Sequence, residues 1–234
     1  PLALIFWDPK PAANPTRTPR PLVRSTTGMQ PVAAMRWAWD DRRASFVALK
    51  GGRLPESHAH MDVGSFVLEA DGVCWAVDPT AENYRHARAN GILNRDLFDT
   101  VTPDRKRWTI FRNGPDAHNI LRFDGKLQEP DGKAEIFSAK KPGAPSYQVD
   151  LTPIYKRQVR SARRGFSLRP DHSIIIQDEW TAGTERVNVS FQWLTFAEVN
   201  QQPDGLLLKQ DGQSLRLRVL AAVGCEINRA IAAP

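Results

Sequence analysis

Cysteine, methionine and tyrosine are scarce in this chain, and no long apolar run occurs in it. Of its 234 residues, 2 are cysteine, 3 are methionine and 3 are tyrosine. Because no stretch of about 18 consecutive apolar residues is present, the sequence predicts no membrane span. Cys74 and Cys225 leave open whether a disulfide forms, and two cysteines do not fix the redox compartment. No internal repeat and no Gly-rich phosphate loop is found, which argues against a repeat fold and a P-loop nucleotide site.

Positive charge is in moderate excess. Lysine and arginine together number 32, against 26 aspartate and glutamate residues, which gives a net charge of +6. Such a balance favours anionic partners such as nucleic acid, acidic lipid or acidic polysaccharide. The basic residues are scattered apart from residues 105–107 and 157–164, and no compact basic tract with interleaved aromatics is present. The sequence therefore argues against nucleic acid as the partner.

Short strand-like runs separated by turn residues recur along most of the chain, as is typical of an antiparallel β-sandwich. We therefore predict an all-β fold, with the sandwich over residues 36–234. Residues 1–35 are rich in proline and predict an irregular linker or the end of a preceding helical domain, and we expect the chain to be a fragment of a longer protein. Residues 81–89 predict a short helix. The predicted strands are residues 32–40, 44–50, 65–70, 107–111, 119–123, 135–138, 158–161, 165–169, 173–179, 187–193, 206–209 and 214–220.

The densest cluster of chemically active side chains begins at His58 and His60. In an extended backbone, residues i and i+2 project from the same face, so the two imidazoles are predicted to lie side by side. The strand-like run that follows ends in an Asp-Gly dipeptide at 71–72, which is preferred in type I′ hairpin turns. A two-residue turn there places Ser65 opposite Asp78, which returns the Asp78 carboxylate towards His60.

A third imidazole, His118, follows in the sequence Gly-Pro-Asp-Ala-His-Asn. Two imidazoles and one carboxylate, with one coordination position left open, are a set that binds zinc. Spacings of this kind also occur by chance and are far less specific than paired Cys-x-x-Cys motifs. On spacing alone, ordinary histidines without a metal therefore remain the alternative.

The ordered pattern of these residues resembles the heparinase II/III-like family of polysaccharide lyases. It consists of His-x-His-x-Asp-x-Gly-x-Phe, a hairpin to Trp-x-x-Asp-x-x-x-x-x-Tyr, and His-Asn-x-Leu-x-x-Asp-Gly-x-x-Gln. The likeness covers residues 50–200, including the later segments 150–155 and 160–179, and the ordered set is much more specific than any one part of it. The residues that carry it are His58, His60, Asp62, Gly64, Phe66, Trp75, Asp78, Tyr84, His118, Asn119, Leu121, Asp124, Gly125 and Gln128.

The resemblance implies a two-part enzyme, in which an N-terminal α/α toroid and a central β-sandwich form the two walls of a cleft. Such lyases cleave uronic-acid polysaccharides, such as heparin, heparan sulfate or alginate, by β-elimination. The implied partners are an anionic uronate polysaccharide and the toroid domain, which this chain lacks. We therefore expect the full-length protein to be a lyase, the isolated chain to be inactive, and the location to be periplasmic or secreted.

The resemblance also implies roles for individual residues. His58 matches the catalytic histidine of the sandwich, and Tyr84 matches a position near the substrate channel and is the second candidate catalytic residue. The implied cofactor is Zn²⁺ in a structural role, with His60, Asp78 and His118 as its ligands. Asp-Pro-Thr at 78–80 replaces the Asp-x-Gly of the family, so the shape of the loop after this ligand is not predicted.

Four further residues surround these in the implied site. A metal-bound histidine usually donates its second ring nitrogen to a nearby acceptor, and Asp62 and Asn119 are the nearest candidates by sequence. Asp62 serves equally well as a brace for the loop. Arg85 and Arg112 are candidates for bidentate binding of substrate carboxylates.

Two other classes of protein fit parts of the pattern. One is a non-catalytic carbohydrate-binding or structural module whose metal site only holds the fold together. The other is a cupin-like metal enzyme, which also uses His-x-His with a later carboxylate and histidine, and which is redox-active with iron or manganese.

Overall fold

A computed structural model of the protein describes residues 21–54, 58–79, 81–103, 105–138, 146–220 and 225–232. Within these ranges the chain consists mainly of antiparallel strands, and no helix is long and apolar enough to cross a membrane. The strands are β1 (Val23–Ser25), β2 (Val32–Arg36), β3 (Phe46–Lys50), β4 (Gly52–Arg53), β5 (Phe66–Ala70), β6 (Val73–Ala76), β7 (Leu121–Phe123), β8 (Lys133–Ser138), β9 (Ser146–Asp150), β10 (Val159–Leu168), β11 (Ile174–Ala182), β12 (Val189–Phe191), β13 (Glu198–Gln202), β14 (Gly205–Gln210) and β15 (Gln213–Arg218). The helices are α1 (Tyr84–Ala89), α2 (Asn94–Leu97) and the 3₁₀ helices Lys106–Thr109, Pro115–Ala117 and Thr152–Ile154.

Two five-stranded antiparallel sheets form the sandwich, which confirms the predicted fold class. Their strand orders are β1-β2-β3-β5-β6 and β11-β10-β9-β8-β4. Buried side chains alternate along β3 and along most of β10, the pattern expected of strands with one face in a core. Phe66 of the first sheet meets Phe166 of the second with ring centroids 5.4 Å apart. The core therefore lies between the two sheets, while β12 pairs with β7 and β13–β15 form a smaller sheet.

Strand β1 pairs with β2, so the first sheet already begins within the proline-rich segment predicted as linker. Residues 1–20 of that segment lie outside the described residues. Strand β10 runs without a break, where the sequence predicts two strands over 158–161 and 165–169. The reason is Arg164, which is completely buried in mid-strand and forms a bidentate ion pair with Asp178 on β11. This charged residue lies in the gap between the two predicted strands, and its neighbour in the sheet neutralises it.

The strand predicted over 107–111 is wrong, because this segment begins in the 3₁₀ helix Lys106–Thr109. Arg107 and Trp108 are both buried, whereas a half-buried strand buries only every second residue. The backbone carbonyl of Ile110 then accepts from the N–H groups of Asn113 and Gly114, which keeps the chain in turns. This segment packs beneath the loop that carries His58 and His60.

The hairpin between β5 and β6 has the predicted turn but not the predicted register. Residues 71 and 72 both have positive φ, at 53° and 78°, as a type I′ turn requires. A β-bulge then shifts the pairing, so that Leu68 lies opposite Ala76 and the ladder ends there. The predicted pairing of Ser65 with Asp78 is therefore wrong. Successive side chains of a regular strand point to opposite faces of the sheet. The bulge interrupts this alternation, so that the neighbouring residues Trp75 and Ala76 are both buried.

Residues 58–65 form the loop that brings the first two histidines to the site. Met61 and Val63 are buried and anchor the loop in the core. The Gln128 side chain brackets Val63, accepting from its N–H at 3.2 Å and donating to its carbonyl at 2.7 Å. Gly64 has φ of 84° and lies so close to Leu151 that an added Cβ would stand 2.8 Å from the Leu151 side chain. Only glycine fits this position without displacement.

Candidate metal and catalytic site

His60 and Asp62 of this loop converge with His118, which comes from a distant part of the sequence. One donor atom from each of His60, Asp62 and His118 lies within 4.8 Å of the others. The His60 and His118 rings face one another with centroids 5.4 Å apart and a tilt of 31°. His118 is almost fully buried and His60 is half-buried. The structure thus brings together the two imidazoles that the resemblance implies as metal ligands.

Asp78 reaches the same cluster through His118. Its Oδ2 lies 3.0 Å from His118 Nδ1, and the other ring nitrogen, Nε2, lies 3.2 Å from the carbonyl oxygen of Arg112. Two ligand atoms bound about 2.0 Å from one tetrahedral zinc ion are about 3.3 Å apart. The separation between Asp78 and His118 is close to that value. The Arg112 carbonyl is also the acceptor that a metal-bound His118 requires on its second nitrogen.

Asp62 is held by an ammonium group. Both of its carboxylate oxygens accept from Lys50 Nζ, at 2.7 and 2.6 Å, and the carboxylate is largely buried. This ion pair ties the histidine loop to the end of β3, as a brace does. Lys50 is not among the sequence-predicted site residues, because a lysine at the end of a strand is normally expected to be exposed to solvent.

Asn119 joins the segments that carry the candidate ligands. Its side-chain nitrogen donates to the carbonyls of Phe66 and Val77, at 2.8 and 2.9 Å, and its oxygen accepts from the N–H of Leu194 at 2.5 Å. Its hydrogen bonds therefore go to backbone groups, and its contribution is to fix the residues that precede Asp78 and follow His118.

Arg164 completes this support from below. Besides its ion pair with Asp178, its Nη1 donates to the carbonyls of Gly64 and Asn119, at 2.9 and 2.8 Å. One fully buried guanidinium therefore connects β10 to the end of the histidine loop and to the residue after His118. Sequence reasoning missed this residue, since only the folded chain shows that its charge is neutralised.

The His60 imidazole is neutral at neutral pH. Its pKa is lowered from 6.5 to about 4, first by burial and further by the electrostatic effects of His118 and Arg107, against opposing effects of Asp62 and Asp78. Burial penalises the charged ring. A neutral imidazole is the form that binds a metal ion, so this side chain is ready to act as a ligand without first losing a proton.

In the metal-free protein, His60 should make the free energy of unfolding increase as pH rises from about 4 to 6.5. The unfolded chain binds a proton at His60 below pH 6.5, whereas the folded chain does so only near pH 4, so protonation favours unfolding within this window. Allowing for partial exposure, we expect about 2 kcal/mol. Urea unfolding across this range, with a chelator present, measures it. His60→Gln should lose this component, and an unchanged slope in that variant would contradict the assignment.

His58 lies apart from this cluster. Its backbone is in the left-handed region, with φ of 63°, so the extended geometry on which side-by-side imidazoles were predicted does not hold. The exposed His58 ring stacks on Tyr84, with centroids 5.6 Å apart and an angle of 14° between the planes. His58 Nδ1 is 3.1 Å from Tyr84 Oη. The two histidines of the motif therefore serve different partners: His60 faces His118, and His58 faces Tyr84.

Two residues near this pair were not predicted from the sequence. Phe98, about half exposed, meets the rings of both His58 and Tyr84 edge-on. Arg107 is completely buried and donates to Tyr84 Oη at 3.2 Å. Neither belongs to the ordered motif, and both reach the site only because helix α2 and the 3₁₀ helix after it pack against α1.

The two arginines proposed from the sequence as substrate-binding residues differ in their exposure and in their contacts with the protein. Arg85 lies exposed on α1. Arg112 is partly exposed, and its Nη1 donates to the carbonyl of Pro79 at 2.6 Å, which holds the loop after Asp78. Its Nε lies 3.9 Å from a carboxylate oxygen of Glu82. Arg85 is therefore free to reach a ligand, whereas Arg112 is already engaged by the protein.

Comparison with known proteins identifies the domain. A family model described as "Heparinase II/III-like, C-terminal" matches residues 24–229. The chain belongs to this family. Within it, the histidine loop, the hairpin and the His118 segment are parts of one domain. No curated protein matches the chain.

Solved structures agree on the fold. A crystal structure of heparinase III is similar to this chain with a TM-score of 0.54 and 16% identity, over 77% of this chain and 26% of that one. A second heparinase III gives 0.53 and 17%, over 80% and 27%, and its form with methylated lysines gives 0.57 and 14%, over 82% and 27%. Identities this low show a shared fold alone, and the family's C-terminal domain here spans about a quarter of the length of those structures.

Proposed function

We propose that this chain is the β-sandwich part of a polysaccharide lyase that cleaves uronic-acid polysaccharides by β-elimination. The observation that carries the proposal is the hydrogen bond of 3.1 Å between His58 and Tyr84, two groups able to transfer protons, at an accessible edge of a heparinase-type domain. The net charge of +6 supports an anionic substrate. The second wall of the cleft is supplied by the toroid of the full-length protein.

The reaction requires two proton transfers and a stabilised anion. A base removes the C5 proton of the uronate, the electrons of that bond form the C4=C5 double bond, and the C4–O bond breaks as the departing oxygen takes a proton. The proton is weakly acidic, so the developing charge on the carboxylate must be stabilised by cations or hydrogen-bond donors. His58 and Tyr84 lie close enough together to act on neighbouring atoms of one sugar. Arg85 is the accessible cation nearest to Tyr84 in sequence, and Arg112 is the second candidate.

We further propose that the domain holds a structural Zn²⁺ ion with His60, Asp78 and His118 as ligands. Two imidazoles and a carboxylate suit zinc: His60 and His118 have ring nitrogens within 4.8 Å of one another, and Asp78 Oδ2 lies 3.0 Å from His118 Nδ1. The fully buried side-chain amide of Asn113 has no hydrogen-bond partner among the described residues, while its backbone carbonyl accepts from the N–H of Met61. A buried amide of this kind is expected beside a site that holds a further polar group. When bound, the ion supplies a cross-link between three segments.

The full-length protein should convert at least one uronate polymer into unsaturated products. We would incubate it with heparan sulfate, alginate and hyaluronan and follow the ultraviolet absorbance of the new C4=C5 bond. The matched control is the same polymer with its carboxyl groups reduced, which lacks the acidity that β-elimination needs and should not react. The isolated 234-residue chain should be inactive. Binding of these polymers without any gain in absorbance would make the domain a non-catalytic carbohydrate-binding module.

A further inference from the structure

Arg107 is a fully buried cation whose guanidinium, among the described residues, donates to backbone carbonyls and a phenol rather than to a carboxylate. Its guanidinium donates to the carbonyl of Ala59 through Nε and Nη2, at 3.2 and 2.5 Å. Nη1 donates to the carbonyl of Leu97 and, at 3.2 Å, to Tyr84 Oη. The ring centroids of Trp108 and Tyr84 lie 5.4 and 5.9 Å from the guanidinium carbon. Burying a charge without a counter-ion is costly, so these contacts must hold the group firmly.

We propose that Arg107 is a positioning residue for the His58–Tyr84 pair, an inference that rests on the proposed function. Ala59 lies between His58 and His60, and two parallel N–H groups fix its carbonyl. A guanidinium can only donate hydrogen bonds, so the bond to Tyr84 uses one lone pair of the phenol oxygen and leaves its proton and second lone pair for His58. A single buried group thus sets both the backbone that carries His58 and the phenol that His58 contacts.

The backbone conformation of His58 explains why a positioning residue is needed here. A residue other than glycine with φ of 63° is strained relative to ordinary conformations and persists only when its surroundings hold it there. Residue 58 is exposed, so packing of its own side chain does little to hold it. Among the described residues, it is constrained by the fork from Arg107 to the next carbonyl and by the ring contacts with Tyr84 and Phe98. Arg164, which is also fully buried, differs because Asp178 neutralises it.

The test uses Arg107→Lys, Tyr84→Phe and the double variant in the full-length protein. Lysine keeps the charge but loses the planar fork, so kcat on the uronate polymer should fall about 100-fold with KM nearly unchanged. The loss in the double variant should be smaller than the product of the two single losses, because both act through His58. Leu168→Ala, a core truncation in β10, is the control for general destabilisation and should keep its kcat below its melting temperature.

Hydrogen–deuterium exchange gives a second readout that needs no substrate. Exchange in residues 58–66 should increase in Arg107→Lys and in Tyr84→Phe, but not in peptides from the β14–β15 hairpin. Should Arg107→Lys fail to fold, Tyr84→Phe alone decides, since it removes only a hydroxyl; unchanged exchange there would overturn the proposal. Wild-type kcat in Arg107→Lys with evenly raised exchange would also overturn it. If the wild-type protein cleaves no uronate polymer, the proposed function fails, and the local exchange still decides the positioning role.

Discussion

Replacing Asp78 with alanine is expected to remove zinc from the protein, whereas Asp62→Ala is expected to leave about one zinc ion per chain. Asp62 lies within 4.8 Å of both imidazoles, and Asp78 lies against His118. The two carboxylates differ in their position relative to Lys50 and His118. Both oxygens of Asp62 are engaged by Lys50, whereas Asp78 Oδ2 lies 3.0 Å from His118 Nδ1, a separation suited to two ligands of one ion. The separation from His118 Nδ1 therefore favours Asp78 as the carboxylate ligand.

Loss of the ion should also destabilise the fold. A ligand present at about 1,000 times its Kd stabilises the folded state by about 4 kcal/mol, which corresponds to about 10 °C in melting temperature for a chain of this size. We expect Asp78→Ala to lose most of that shift when zinc is added, while the wild-type protein gains it. Plasma mass spectrometry on untagged protein gives the metal content, and calorimetry with and without a chelator gives the shift.

Asp62→Ala is the matched control, because it removes the same carboxylate group from the same cluster. It leaves the Lys50 ammonium without its partner, so a lower melting temperature is expected even though zinc remains bound. The decisive quantity is therefore the metal content. Zinc lost in Asp62→Ala and kept in Asp78→Ala would exchange the roles of the two carboxylates. A wild-type protein that binds no zinc would remove the metal site altogether.

Local chemistry accounts for the parts of the fold that were predicted correctly. The Asp-Gly turn at 71–72 forms because both residues accept positive φ, and period-2 patterns place β3 and β5 in a sheet. The register beyond the turn depends instead on where Trp75 finds room in the core. A bulge is the response of the hairpin to a large side chain and its neighbour that both have to be buried, and no pairwise pattern in the sequence encodes it.

The candidate site shows the same division. The ordered motif predicts that His60, Asp78 and His118 lie together, since their spacing relative to strands and turns is a property of the chain. The partly buried Lys50 and the fully buried Arg107 and Arg164 are not predictable in this way. Such side chains are usually exposed, and their burial depends on acceptors as distant in sequence as Gly64 is from Arg164. The cations that support the site are therefore known only from the folded chain, although the residues of the site itself can be predicted from the sequence.

His58 and His60 separate for a reason that matters to function. An extended segment would place both rings on one face, where a metal ion would compete for each of them. The positive φ of His58 turns its ring away to Tyr84 and leaves His60 with His118. A metal site and a proton-transfer site can then share three consecutive residues without sharing a side chain.

Consequently, His58→Ala in the full-length protein should lower kcat on a uronate polymer by about 100- to 10,000-fold while the zinc content stays at the wild-type level. Proton transfer by a positioned side chain contributes about this much to a reaction rate. His60→Ala should behave differently, because it removes a proposed metal ligand. Steady-state kinetics and metal analysis on the same preparations measure both quantities. The two variants should differ in zinc content even where both have a low kcat.

His172 provides a closely matched control. It is also an exposed histidine in the left-handed region, with φ of 66°, and its ring stacks on Trp37 with centroids 4.8 Å apart. His172→Ala therefore removes the same atoms from the same backbone conformation and from a similar aromatic contact, and it should leave kcat unchanged. Equal losses in His58→Ala and His172→Ala would point to general disturbance of the domain. Full turnover in His58→Ala would instead exclude this imidazole from the chemistry and leave Tyr84 as the remaining proton-transfer group of the pair.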